Sequence, residues 1–414
     1  MKNPKDVFEK YESNVRSYCR AFPAVFCKAK DTIISDLDGN DYIDFFCGAG
    51  SVNYGHNNDY IKAKMVNFLE NDGLLHALDM MTEAKADFIE YFQKKILKPR
   101  GMNYKILFPN STGTNAIEVA LKLARKYTGR SDIWCLMGCF HGMTLGSLAL
   151  TSDAKSRDGA GVPLSNVVHI PAPYMFDELD TIKYMETIIN DDHSGYALPA
   201  AIIIETVQAE GGIHVMSNEY LQAIRILCDK YGILLIIDDI QVGCARTGTY
   251  FSFERAGIKP DIFVMAKSIS GAGLPFAIVL TKEDFDVLAP GQHNGTFRGN
   301  QLAMVAAKAG LEYMLIEKVE EQVKRKEAIV RDYLNTYLPS QFKFRGIGLI
   351  WGIEVTDNEM CSKITTKCFD NGLIIEKAGR DNNVLKIMPP LIINDEMLIK
   401  GLSIIVNAIN ELCE

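Results

Sequence analysis

Short apolar runs rich in β-branched residues alternate with segments of helical period through the middle of this chain. The runs Tyr104–Phe108, Asp132–Leu136, Ala200–Thr206, Ile233–Asp238, Asp261–Ala266 and Phe276–Leu280 have the length and residue types of buried strands. Between two of them, residues 218–230 carry Leu221, Ile224, Ile226 and Leu227 on a mostly helical stripe and read as a helix. Such alternation predicts an α/β fold with a mostly parallel central sheet covered by helices. The first 48 residues hold a short hairpin, with strands at 32–35 and 42–45 around Asp38-Gly39-Asn40. Residues 301–335 read as helical and charged, ending in a Lys/Glu-rich stretch that suits an exposed face and an interdomain spine. No internal repeat or low-complexity tract interrupts the pattern.

At 414 residues the chain exceeds the usual size of one hydrophobic core, so two domains are expected. Its 44 basic and 52 acidic residues give a net charge of −8, which argues against nucleic acid or an anionic membrane as the main partner. The opening Met1-Lys-Asn-Pro-Lys-Asp has no apolar core of a secretory signal, and no apolar run is long enough to span a bilayer. Ten cysteines are scattered without metal-ligand spacing, so no metal is expected. Cys47, Cys228 and Cys244 lie among apolar residues and read as small core side chains in a reducing cytoplasm.

Two strand ends carry chemistry. Ile-Ile-Asp238-Asp239-Ile-Gln241 ends one apolar run before Gly243-Cys-Ala-Arg246-Thr-Gly248, and Val-Met-Ala-Lys267 ends the next before a Gly-rich turn. In open α/β sheets ligands bind outside the carboxyl ends of strands, so a carboxylate and an amine would face one crevice. Either residue alone reads as a turn residue or solvated surface. Upstream, Asn110-Ser-Thr-Gly113-Thr114-Asn115 follows a strand and opens a helix. It reads either as a capped helix start, with Ser111 or Thr112 as the cap, or as an anion site on free backbone N–H groups.

Together these strings resemble the signature of the class III, or ω-, aminotransferases, enzymes of pyridoxal phosphate fold type I. The resemblance runs nearly end to end. It implies a large cofactor domain, residues 49–300, and a smaller α+β domain made from both chain ends, 1–48 and 301–414. It implies pyridoxal 5'-phosphate as cofactor, with Lys267 forming the Schiff base and moving the proton, and Asp238 pairing with the pyridine nitrogen. Gln241 matches the position that bonds the ring hydroxyl, Gly113 and Thr114 the phosphate loop, and Phe140 the aromatic stacked on the ring, though Phe140 suits ordinary core equally. No catalytic role is assigned to His141, and Asp239 is read as structural. In relatives the residue matching Thr296, in Asn294-Gly-Thr296-Phe-Arg298, reaches the phosphate bound by a neighbouring subunit. A cytoplasmic homodimer with shared sites follows, with dimers able to pair into tetramers.

Two departures bear on substrate. In relatives an acid matching Glu210 masks a C-terminal arginine, but here Lys386 stands in that position, before Pro389-Pro390. Met143 stands where ornithine- and γ-aminobutyrate-type members have arginine. Arg298 supplies the missing cation in one reading and is purely structural in the other. Several strings, among them Gly48-Ala-Gly-Ser-Val-Asn-Tyr-Gly-His56 and Gly295-Thr-Phe-Arg-Gly-Asn300, are similar to the subgroup that makes 2,4-diaminobutyrate, as in ectoine synthesis. That subgroup implies amino transfer from L-glutamate to aspartate 4-semialdehyde. The alternatives are another ω-aminotransferase, using ornithine, putrescine or a β-amino acid, and an aminomutase on the same scaffold.

Overall fold

A computed structural model describes residues 4–413 of the chain. Seven strands form its central sheet, in the spatial order Lys105–Leu107, Ile278–Thr281, Ile262–Met265, Leu234–Asp238, Ala201–Glu205, Ile133–Leu136 and Val167–Ile170. Neighbours run parallel except around Ile278–Thr281, which is antiparallel to both of its partners. Each of the six expected runs supplies a strand. The edge strand Val167–Ile170 was not anticipated, because it is short, half-buried and stopped at Pro171.

Why these runs are apolar throughout is clear from the layers. Along Leu234–Ile237 and Ile262–Met265, successive side chains alternate between two separate apolar clusters. Leu235, Ile237, Phe263 and Met265 belong to one, and Leu234, Ile236, Ile262 and Val264 to the other. A sheet covered on both faces needs apolar residues at every position, and each such side chain contributes about 1.5–3 kcal/mol. The second cluster includes Ile117, Ala120, Leu121 and Ala124, the buried stripe of the helix Gly113–Thr128.

The chain ends meet. Phe26–Lys30, Ile33–Asp36 and Asp41–Asp44 form antiparallel pairs, and Leu373–Ile374 adds parallel to the last of them. The hairpin turns at Gly39, with φ +87, where Asp36 accepts N–H bonds from Asp38 and Asn40. A further sheet has the order Lys343–Ile347, Ile350–Glu354, Val384–Ile387, Glu376–Ala378, and its register sets Glu376 opposite Lys386.

The helical stretch from 301 differs from the sequence reading. It is two helices, Gln301–Ile316 and Val319–Tyr337, parted at Lys318, whose φ of +50 lies outside helical geometry. Only the second is strongly charged. The first buries Ala303, Met304, Ala306, Ala307, Leu311 and Met314, so it belongs to the core.

Candidate active site

The carboxyl ends of the parallel strands open into a cavity of about 380 Å³, lined among others by Gly113, Phe140, Glu210, Asp238, Gln241 and Lys267. Asp238 is the last residue of its strand, and Lys267 follows Ile262–Met265 by two positions. Lys267 has φ +55, a conformation strained for a side chain with Cβ, at the turn that aims it back into the cavity. Burial depresses its pKa and Lys386 adds to the effect, while Glu210 opposes it.

Asp238 accepts from the Ile240 N–H at 3.1 Å through one oxygen, and its other oxygen lies 2.7 Å from His141 Nδ1. The His141 ring is fully buried, and its Nε2 has no hydrogen-bond partner. Burial opposes a charged imidazole, but Cys139 and Asp238 outweigh it and hold the His141 pKa well above its ordinary range. Glu205, in register with Asp238 on the adjacent strand, accepts the Phe140 N–H at 3.2 Å. Burial pushes its carboxyl well above the usual range, against the opposing effect of His141.

On the anion side, the helix Gly113–Thr128 starts after Thr112, whose side chain caps none of the first N–H groups. Those donors and the helix dipole are therefore available to an anion, as a phosphate group requires. A Cβ at Gly113 would lie 2.8 Å from Ile240 Cδ1, so this turn tolerates only glycine without shifting the cavity wall. The Thr114 hydroxyl is engaged elsewhere, 2.5 Å from the Thr144 hydroxyl and accepting the Thr144 N–H. Phe140 is half-buried, lines the cavity and belongs to no ring pair among the described residues, which leaves its face open to a flat ligand.

Opposite, the Gln241 amide donates to the Ala49 carbonyl at 3.0 Å and to Glu210 at 3.1 Å, leaving its own oxygen without a partner. Lys386 Nζ donates to Glu210 at 2.7 Å and lies 2.6 Å from Glu376. Burial opposes ionisation of Glu210, but Lys386 and Lys267 prevail and hold it down at about 2. Burial likewise works against the Lys386 charge, and its two acids override it, raising the lysine above its usual range.

Three expected site residues do not line this cavity. Lys386 is fully buried against Glu210. Thr296 is exposed on a loop joined to the helix start by a bond from the Ser111 hydroxyl to the Phe297 carbonyl, at 3.2 Å. Arg298 turns into its own loop, donating to the His293 carbonyl at 3.0 Å, and its nearest carboxylate is Asp79 at 3.8 Å. His141, Glu205 and Glu376 were not expected at the site. For His141 the signal was its place beside Phe140. For Glu376 nothing local marks it, since only the strand register brings it to Lys386.

A family model described as Aminotransferase class-III matches residues 16–409. The chain belongs to the class-III aminotransferases. It is 49% identical over 414 residues to the diaminobutyrate–2-oxoglutarate transaminase of Halalkalibacterium halodurans, covering 99% of this chain and 97% of that one. It is 48% identical to the enzyme of the same name from Sporosarcina pasteurii, covering 99% and 98%. Among solved structures, the ornithine aminotransferase of Toxoplasma gondii superposes with a TM-score of 0.87 at 26% identity, covering 99% of this chain and 96% of that one. A second structure of that parasite enzyme is described with partial occupancy of PLP at its active site.

Proposed function

We infer that this class-III aminotransferase uses pyridoxal 5'-phosphate to move an amino group from L-glutamate to aspartate 4-semialdehyde, giving L-2,4-diaminobutyrate and 2-oxoglutarate. The observation that carries the reading is the identity of nearly half, over the full length, to transaminases of that name, in a chain whose cavity gathers Asp238, Gln241, Glu210 and Lys267.

The residues present fit the cofactor. Uncapped N–H groups from Gly113 onward suit its phosphate, the free face of Phe140 suits its ring, and Asp238 suits a protonated pyridine nitrogen. When bound, pyridoxal phosphate supplies the electron sink that lets a Cα proton leave. The Asp238 carboxylate would accept a hydrogen bond from the protonated ring nitrogen, and His141, 2.7 Å from its other oxygen, orients that carboxylate. Lys267 Nζ takes up the Cα proton and returns it, a task suited to an amine whose pKa is brought toward neutrality. Glu210 accepts from both Lys386 and the Gln241 amide, which sets this pair beside the ring-hydroxyl position. Lys386 has no exposed surface, so it meets a carboxylate only once Glu210 has turned away.

We further propose that two copies complete each other's sites. Thr296 lies outside its own chain's cavity, and the exposed Leu74, Leu75, Met80, Met81 and Phe297 around that loop form an apolar surface suited to a partner. On this reading Arg298 travels with Thr296 and acts across the boundary, and the two chain ends, 1–48 and 301–414, form the smaller domain around residues 49–300. The experiment is a half-reaction: glutamate added alone to cofactor-loaded protein is expected to release 2-oxoglutarate and abolish the absorbance of the lysine-linked cofactor, and aspartate 4-semialdehyde is expected to restore it. Absence of both responses would overturn the assignment.

A further inference from the structure

Two segments from different parts of the chain meet at the cavity: the start of the helix Gly113–Thr128, with its uncapped N–H groups, and the loop that begins at Phe140 and carries its open ring face. One acid ties them together. Glu118, on the second turn of that helix, accepts the Thr144 hydroxyl at 2.6 Å and the N–H groups of Gly146 and Ser147 at 2.9 and 3.1 Å, all through Oε1. Those N–H groups open a short helix, Leu145–Leu150, whose own cap residue Thr144 bonds none of them with its side chain. Glu118 thus does from a neighbouring helix what a capping side chain ordinarily does locally. Glycines allow the close approach: a Cβ at Gly146 would overlap Glu118 Oε2, and one at Gly142 would lie 2.6 Å from Thr114 Oγ1.

The same acid directs the hydroxyls. Thr144 gives its one hydroxyl proton to Glu118, so at its 2.5 Å contact with Thr114 it can only accept, and Thr114 donates. The Thr144 N–H returns to Thr114 Oγ1 at 3.3 Å, and the Ser147 hydroxyl donates to the Thr114 carbonyl at 3.1 Å. An anion in the cavity is therefore left with the N–H groups of the helix start, since the Thr114 hydroxyl proton is turned along the chain to Glu118.

We propose that Glu118 is a positioning residue for pyridoxal phosphate, holding the loop that meets the ring at a fixed distance from the helix start that meets the phosphate. The inference rests on the cofactor assignment and not on the choice of amino acceptor. A carboxylate suits the task, because three donors converge on one oxygen and an ionised acceptor makes the stronger bonds. Its negative charge repels a phosphate, so any affinity it adds comes through geometry.

The test compares Glu118→Ala, Glu118→Gln and Ser217→Ala, the last removing an unrelated cap that bonds the Tyr220 N–H and does not line the cavity. Full-length apoprotein is titrated with pyridoxal phosphate, inorganic phosphate is titrated as its competitor, and the visible circular dichroism of each loaded protein reads how rigidly the ring is held. In Glu118→Ala, affinity for pyridoxal phosphate is expected to fall on the order of tenfold, as loss of a capping acceptor implies, with less dichroism per bound cofactor. Inorganic phosphate has no ring for the Phe140 loop to meet, and it is expected to compete with unchanged affinity. Glu118→Gln keeps an accepting oxygen and should stay within about threefold of the wild type. Ser217→Ala should match the wild type in every reading. Equal losses for pyridoxal phosphate and inorganic phosphate in Glu118→Ala, no loss of either, or the same pattern in Ser217→Ala overturns the proposal. Should Glu118→Ala not fold, Thr144→Val, which cuts only the hydroxyl link, is expected to weaken the cofactor in the same selective way, and an unchanged cofactor affinity there overturns the proposal. No amino donor is present in these titrations, so a failed glutamate half-reaction counts against the transamination reading and leaves these affinities standing.

Discussion

Replacing Lys386 by methionine is the sharpest probe of the buried charge cluster. Lysine and methionine are both unbranched, so packing changes little and the consequence is electrostatic. The side chain has no exposed surface and touches two carboxylates, at 2.7 and 2.6 Å. Breaking a buried pair from one side costs about 3–5 kcal/mol, because the other charge is left behind. A stranded acid has an escape, however: it can take up a proton. From the ordinary glutamate value of 4.5, doing so at pH 7 costs about 1.36 × 2.5, or roughly 3.4 kcal/mol, which caps the penalty for each acid. Glu210 is more than a third exposed, and water screens much of its share. The expected loss is therefore about 2–4 kcal/mol at pH 7, most of it from Glu376.

The pH dependence gives the sign. In the wild type Glu210 is held at about 2, below its unfolded value of 4.5, so its contribution is present above 4.5 and is lost as pH falls toward 2. In Lys386→Met the acids instead take up protons more readily in the folded state, and the penalty vanishes below the unfolded value and grows as pH rises. The gap between mutant and wild type should shrink by about 1.4 kcal/mol per pH unit for each neutralised acid between pH 7 and pH 5. Urea midpoints at pH 5, 6 and 7, at fixed cofactor concentration, measure it. A loss under about 0.5 kcal/mol at pH 7, or one independent of pH, would show that the cluster is solvated and refute the reasoning.

Lys267→Ala should retain a binding site for pyridoxal phosphate but lose the borohydride-trappable link and turnover by orders of magnitude, and an active variant that still traps cofactor would remove Lys267 from the mechanism. His141→Leu leaves one Asp238 oxygen unpartnered in a dry setting and should cost about 1.5–3 kcal/mol of stability. His141→Asn should recover part of that through its amide donor, and equal melting temperatures for all three proteins would contradict the role given to the ring. Thr296→Ala should weaken cofactor retention, and mixing it with Lys267→Ala should yield some sites that combine Lys267 from one chain with Thr296 from the other. If mixing restores no retention and the protein is an active monomer, shared sites are ruled out.

The strands were legible because a sheet covered on both faces demands continuous apolar runs, and those runs end at the Gly-rich turns where the chemistry lies. Asp238 and Lys267 were legible as a pair, because each ends such a run before a Gly-rich turn, at the carboxyl ends of strands where ligands bind. What escaped was set by register and ring direction, which no local string encodes. Ile374-Ile-Glu376-Lys-Ala378 reads as an ordinary strand with a charged, solvated face, and only the pairing of Glu376 with Lys386 turns that acid inward. Phe140 and His141 are neighbours, yet one side chain opens to the cavity and the other points behind it to Asp238. The break at Lys318 was equally silent, since its positive φ falls on a lysine and no glycine announces it. The same logic explains Lys386. A lysine before Pro389-Pro390 looked like a weakened substitute for an arginine fork, but an ammonium can be shared between acids arriving from two directions, which a planar guanidinium committed to one bidentate partner does poorly. The substitution is thus matched to the second acid across the strand, which shares the ammonium with Glu210.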